Sequence, residues 1–179
     1  NAQKINNIPA EITRLPQPLS EAIKYFESLV RVSNVIVAHN AEFDKKWFGL
    51  KKLPQIEKPW ICSMDDITWP ADRQLKTRPS VRDLALAYGV PVWNAHRALT
   101  DCIYLAEVFI RCSELEKLLI RALEPKVLLR AEISYEDRYL AKNAGFRWND
   151  AIKGAWSRKM SRRDKEKLDF PVHEVDFHS

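Results

Sequence analysis

The stretch VIVAHNAEFD, residues 35–44, decides how this chain is read. Its first residues form a β-branched, apolar run, which favours a short buried strand, expected over Asn34 to Ala38. His39 and Asn40 end that strand. A helix is expected from near Ala41, carrying Phe43, Asp44, Trp47 and Phe48, with Asp44 on the same face as the two aromatics at i+3 and i+4. A carboxylate beside hydrophobic residues is costly unless it is paired. Asp44 is therefore either a first-turn carboxylate favoured by the helix dipole or a charge kept for a ligand.

A second stretch, HRALTD at residues 96–101, raises the same question. Five positions along a helix turn through about 500°, or about 140° net, so His96 and Asp101 would diverge inside one helix. They converge only if His96 lies on the preceding loop and Asp101 in the first turns of the helix. The apolar periodicity fits that, since it begins at Ala98. Asp101 is expected at the border of a stripe formed by Leu99, Cys102, Ile103, Ala106, Phe109 and Ile110.

Composition bounds the classes of function. The 179 residues are 46% hydrophobic, enough for one moderate domain, or one domain plus a small module. No apolar run approaches the roughly 18 residues of a membrane span, and the N-terminus lacks a signal-peptide pattern. Cys62, Cys102 and Cys112 are odd in number and widely spaced, which indicates neither a disulfide framework nor a zinc site. A cytoplasmic setting is expected, with no membrane partner. The four glycines form no phosphate-cradling loop, so P-loop and dinucleotide-binding readings are excluded. A net charge of +5 is compatible with a polyanionic partner but does not demand one.

Working outward, Ser20 is expected to cap a helix from about Glu21 to Val30, with Ala22, Ile23, Phe26, Leu29 and Val30 on one face. Residues 53–79 are proline-punctuated and irregular, with one short strand, Trp60 to Cys62. Ser80 caps a helix to about Tyr88 that Gly89 ends, and a long helix is expected from about Ala98 to Leu123. Strands alternating with helices predict an α/β layer arrangement.

Pro125 marks the expected domain boundary, giving residues 1–124 and a small basic α+β module over 125–179. The module carries 12 basic and 9 acidic side chains. It reads as strand Val127 to Ile133, helix Tyr135 to Ala144, a turn at Gly145, strand Ala155 to Lys159, helix Arg162 to Leu168 and strand Val172 to Phe177. Tyr139, Phe146, Trp148 and Trp156 are expected to form its core. Aromatics interleaved with Lys142 and Arg147 could also contact nucleic acid, by stacking on bases and neutralising phosphates, and Lys142, Arg147 and Trp148 are the candidate contacts. The AK-x-x-GF-x-W pattern, Ala141 to Trp148, resembles small domains appended to nucleases and other nucleic-acid enzymes.

NAEFD and HRALTD, in this order, resemble the second and third motifs of the DEDDh-type 3′-to-5′ exonuclease family. WICSMD, residues 60–65, looks like the family's short Cys-containing strand, and SVRDLALAYGVP, residues 80–91, like the helix before its third motif. INNIP, a helix and VIVAHN resemble its lead-in, so the likeness covers about residues 3–112. It implies an RNase H-like exonuclease domain, a mixed sheet flanked by helices, and metal-dependent hydrolysis of phosphodiesters at nucleic-acid 3′ ends. The implied cofactors are two Mg²⁺ or Mn²⁺ ions flanking the scissile phosphate. By correspondence, Asp101 and Asp44 would be metal ligands and His96 the general base, a task suited to a pKa near neutrality. Asn40 and Phe43 would shape the substrate pocket. The implied partner is the 3′ end of a single-stranded DNA or RNA, with a polymerase or other nucleic-acid enzyme as a conceivable second one.

The family's first motif, Asp-x-Glu on an N-terminal strand, has no counterpart before Asn34. Asp164-Lys165-Glu166 has the spacing but lies in a charged helical run, which reads as solvated surface. Glu174-Val175-Asp176 has the reversed order. Both metal site and sheet core are thus expected to be incomplete at the N-terminus, as in a truncated chain. The alternative is a catalytically inactive nucleic-acid-binding or adaptor protein on an exonuclease scaffold.

Overall fold

A computed structural model describes residues 3–93 and 96–176, and the chain divides between Ala122 and Leu123 into two units. The expected end of the last strand, Phe177, lies outside the described residues. Both units mix small sheets with helices.

The first unit opens with two single-turn helices, α1 (Gln3–Asn6) and α2 (Ala10–Thr13), and then α3 (Leu19–Val32). Pro18, not Ser20, sits at the N-cap of α3, because the Pro18 carbonyl already accepts from Ala22 N–H. None of the α3 residues is fully buried, and Ile23, Phe26 and Val30 are only half-covered. Strand β1 (Ile36–Ala38) runs parallel to β2 (Trp60–Cys62), with Ala38 opposite Cys62. Among the described residues β1 pairs with β2 alone.

Helix α4 (Ala41–Lys45) is shorter than expected. Trp47 and Phe48 follow it in turns closed by Trp47 N–H to Asp44 O and Phe48 N–H to Lys45 O, and Phe48 packs between Phe26 and Trp60. Helix α5 (Val81–Ala87) starts at a capping box: Ser80 Oγ accepts from Asp83 N–H while the Asp83 carboxylate accepts from Ser80 N–H. It ends at Gly89, whose φ of +67° lies where only glycine is unstrained.

The long helix expected over 98–123 is two helices, α6 (Ala98–Arg111) and α7 (Leu115–Ala122). Cys112 leaves the helix in an extended conformation (ψ 100°) and its buried thiol accepts a hydrogen bond from Tyr88. The break turns α7 so that Leu118 and Ala122 join the core made by Ile61, Trp69, Leu84, Tyr88, Tyr104 and Val108. The buried stripe of α6 also differs from expectation. It is Tyr104, Leu105 and Val108, whereas Leu99 and Ile110 of the expected stripe are 74% and 77% exposed. Both sides of α6 are apolar, so periodicity alone does not choose between them.

The second unit is an antiparallel sheet in the order β4 (Arg147–Trp148), β5 (Trp156–Ser161), β3 (Lys126–Ala131), β6 (Val172–Val175). Helix α8 (Arg138–Asn143) lays Leu140 and Ala141 on one sheet face, over Leu129, Phe146, Met160 and Phe170. Helix α9 (Arg162–Lys165) is one turn capped by Ser161 Oγ, shorter than the expected helix to Leu168. Strand β4, two residues long, carries too little pattern to be seen in sequence. Phe146 is buried as expected and Trp156 half-buried, but Tyr139 and Trp148 are 55% and 54% exposed and do not belong to the core. The small sheet is filled by Leu129, Met160 and Phe170 instead.

Candidate functional site

The parallel register that sets Ala38 opposite Cys62 also sets the next residues, His39 and Ser63, side by side. His39 Nδ1 lies 3.0 Å from Ser63 Oγ, a fully buried hydroxyl. The loop after β2 is fixed around them. Arg78 clasps Asp65 at 2.8 and 3.0 Å, Asp66 accepts from Cys62 N–H at 2.7 Å, and Trp69 Nε1 donates to Ser63 O at 3.0 Å. Burial lowers the His39 pKa, against the negative charges of Asp65 and Asp101, which raise it. At neutral pH this imidazole is therefore uncharged. His39 and Ser63 were not among the candidates from sequence; the signal is His39's place directly before Asn40, at the end of β1.

Asn40 takes up the left-handed conformation (φ 65°) that turns the chain from β1 into α4, and its carbonyl accepts from Phe43 N–H. Asp44 is half-buried and burial pushes its carboxyl up from the usual range. Phe43 is exposed, edge-on to Trp47, with the Lys46 ammonium 4.2 Å from its ring centroid and 5.5 Å from that of Trp47.

His96 lies on the loop before α6 and Asp101 in the helix's first turn. The two meet through the backbone: His96 N–H donates to Asp101 Oδ1 at 3.3 Å, and His96 has a positive φ of 68°. The imidazole is exposed. Arg97 stitches this loop to the N-terminal segment, donating to the carbonyls of Asn6 and Asn7, each at 3.1 Å. Asp101 lies three and four residues before Tyr104 and Leu105, so it continues the buried stripe of α6 at its open end.

Electrostatics tie the pieces together. Burial raises the Cys102 thiol's pKa, and the charges of Asp101 and Asp44 raise it further. Asp101 is also felt at His39. The charges of Asp44 and Asp101, from different helices, thus both act on one thiol, and His96 is joined to Asp101 through its backbone N–H. Among the described residues no group of three or more His, Cys, Asp and Glu side chains is arranged to hold a metal ion.

In the second unit the three candidate contacts separate. Lys142 is exposed on α8. Trp148, opposite Trp156 with ring centroids 5.9 Å apart, faces the α8 side of the sheet. Its neighbour Arg147 points to the other face, where it pairs with Asp150 at 3.4 Å. The two acidic decoys are surface groups: Asp164 is bound by Lys167, and Glu174 is held down to about 2 by Arg162 and Lys165.

Residues 127–175 match the model of a domain of unknown function, DUF8626, which spans β3 to β6 of this unit. Searches of curated proteins and of solved structures returned no match. No helix among the described residues is long and apolar enough to cross a membrane.

Proposed function

We propose that the first unit is the catalytic part of a metal-dependent 3′-to-5′ exonuclease with an RNase H-like core, of the DEDDh type. The observation that supports this most is that the charges of Asp44 on α4 and Asp101 on α6 both act on the Cys102 thiol, while the His96 N–H is hydrogen-bonded to Asp101.

The donor set suits a hard divalent cation such as Mg²⁺ or Mn²⁺, which prefers carboxylate oxygen. Asp44 and Asp101 would hold it, and when bound it would supply a Lewis acid at the scissile phosphate. Two carboxylates fall short of a full two-ion site, so the remainder must come from a further strand. The unpaired side of β1 and the exposed apolar face of α6 are where such a strand would fit. His96, exposed on its loop, would accept the proton of the attacking water. Neutral His39, anchored by Ser63, would orient groups around Asp101, and Phe43 would lie against the terminal nucleotide.

The test is release of nucleotides from a 5′-labelled single strand in Mg²⁺ or Mn²⁺, by this chain and by versions extended upstream, with Asp101→Ala as control. Hydrolysis in any version that falls by at least about a hundredfold in Asp101→Ala supports the reading. Hydrolysis untouched by the substitution, or absent from every version, overturns it. In the latter case the second reading stands, a nucleic-acid-binding or adaptor protein on an exonuclease scaffold.

A further inference from the structure

The aromatic residues that a small domain would be expected to bury are turned outward in the second unit. Tyr135, just before α8, is 74% exposed, and Tyr139 and Trp148 are more than half exposed. The face of α8 opposite its buried Leu140 and Ala141 carries Arg138, Tyr139 and Lys142, neighbours at helical spacings of three and four. The Arg138 guanidinium lies 3.8 Å from the Tyr135 ring centroid and donates to the Tyr135 carbonyl, so ring and cation are held together. Trp148 stands on the edge strand β4, on the same side of the sheet as α8, steadied against half-buried Trp156.

We propose that Tyr135, Arg138, Tyr139, Lys142 and Trp148 form a platform for single-stranded nucleic acid. Exposed rings stack on bases only when the bases are unstacked from one another, and cations between the rings meet the backbone phosphates. The aliphatic side chains of α8, Leu140 and Ala141, pack into the core, which leaves rings and cations to form this face. Residues 125–179 as a whole carry 12 basic and 9 acidic side chains, an excess of three that favours a polyanion. Several acids of the unit are engaged away from it: Glu124 with Arg163, Glu132 with His173, Asp164 with Lys167, and Glu174 with Arg162 and Lys165. Glu136 and Asp137 flank the platform, Asp137 accepting from the Ser134 hydroxyl. The platform gives the DUF8626 segment a role, that of gripping a strand. It deepens the exonuclease reading and rests on it only for the idea that the gripped strand is cut.

The test measures binding of the whole chain, in EDTA, to a labelled oligothymidylate and to a duplex of equal length by fluorescence anisotropy. The single strand should bind more tightly than the duplex. The double substitution Tyr139→Ala with Trp148→Ala should weaken single-strand binding by at least about tenfold while leaving thermal unfolding unchanged, because both side chains are exposed. Lys142→Ala should lower the salt dependence by about 0.7 in log–log slope, one phosphate contact. Equal or tighter duplex binding, or a double variant that is folded and binds like the original, overturns the proposal. Absence of binding at low salt does so too. Strand binding by the original chain with no hydrolysis in any version tells against the nuclease reading alone, and hydrolysis without the expected single-strand binding tells against the platform alone.

Discussion

At the scale of single residues, the site depends on side chains whose surroundings set their charge. His39 resists protonation because it is half-buried, so the unfolded chain takes up a proton there at a higher pH than the folded one. Its contribution to stability is therefore present above the ordinary histidine value of about 6.5 and is lost as pH falls from there toward the lower folded value. Urea midpoints measured on either side of that pH should show the drop, and His39→Gln should flatten it. An unchanged slope in the variant would mean that another group titrates. Phe146, by contrast, is a packing residue at 2% exposure, and Phe146→Ala should cost about 3–5 kcal/mol of stability in the second unit. Sequence reading singled out Asp44, Asp101 and His96 as candidates because their types and order carry information. It could not find Ser63, since only the parallel pairing of β1 and β2 brings that hydroxyl to His39.

At the scale of elements, α5 was legible at both ends because its stop and start signals are local: Ser80 with Asp83 at one end, a left-handed Gly89 at the other. Ser80→Ala should cost about 1 kcal/mol, read as a shift in the urea midpoint. Asp83 strengthens the same cap. Lys76, 2.9 Å away, and the Ser80 N–H hold its carboxyl down to about 2, so its support is present above the usual carboxylate pKa and lost as pH falls through about 2. Helix α6 was misread for a reason that is equally physical. Its two apolar sides offer the same periodicity, and the choice between them was made by Tyr104, whose hydroxyl accepts from Trp93 N–H at 2.9 Å while its ring is wholly buried. Tyr104→Phe should cost about 1 kcal/mol, measured by thermal melting, and a neutral result would show that packing of the ring alone sets the helix's rotation.

At the scale of the whole chain, the two units have separate cores, one around Leu84 and Tyr104, the other around Leu129 and Phe146. Residues 123–179 made alone should therefore unfold cooperatively and give a dispersed amide spectrum, and a collapsed, undispersed spectrum would show that the second unit borrows stability from the first. The expected boundary at Pro125 lies two residues beyond the observed division, because Leu123 already leaves α7. The division into two units was legible as well, though the surface of the second was not: a sequence tells that tyrosine and tryptophan are present, but which of them a four-stranded sheet has room to cover depends on the width of its strands.

Among the described residues β1 has a single strand partner, and this has a practical meaning for anyone handling the protein. A bare sheet margin templates association between copies. Light scattering from concentrated solutions should climb with protein concentration, and a short extended peptide that occupies the margin should keep the solution clear.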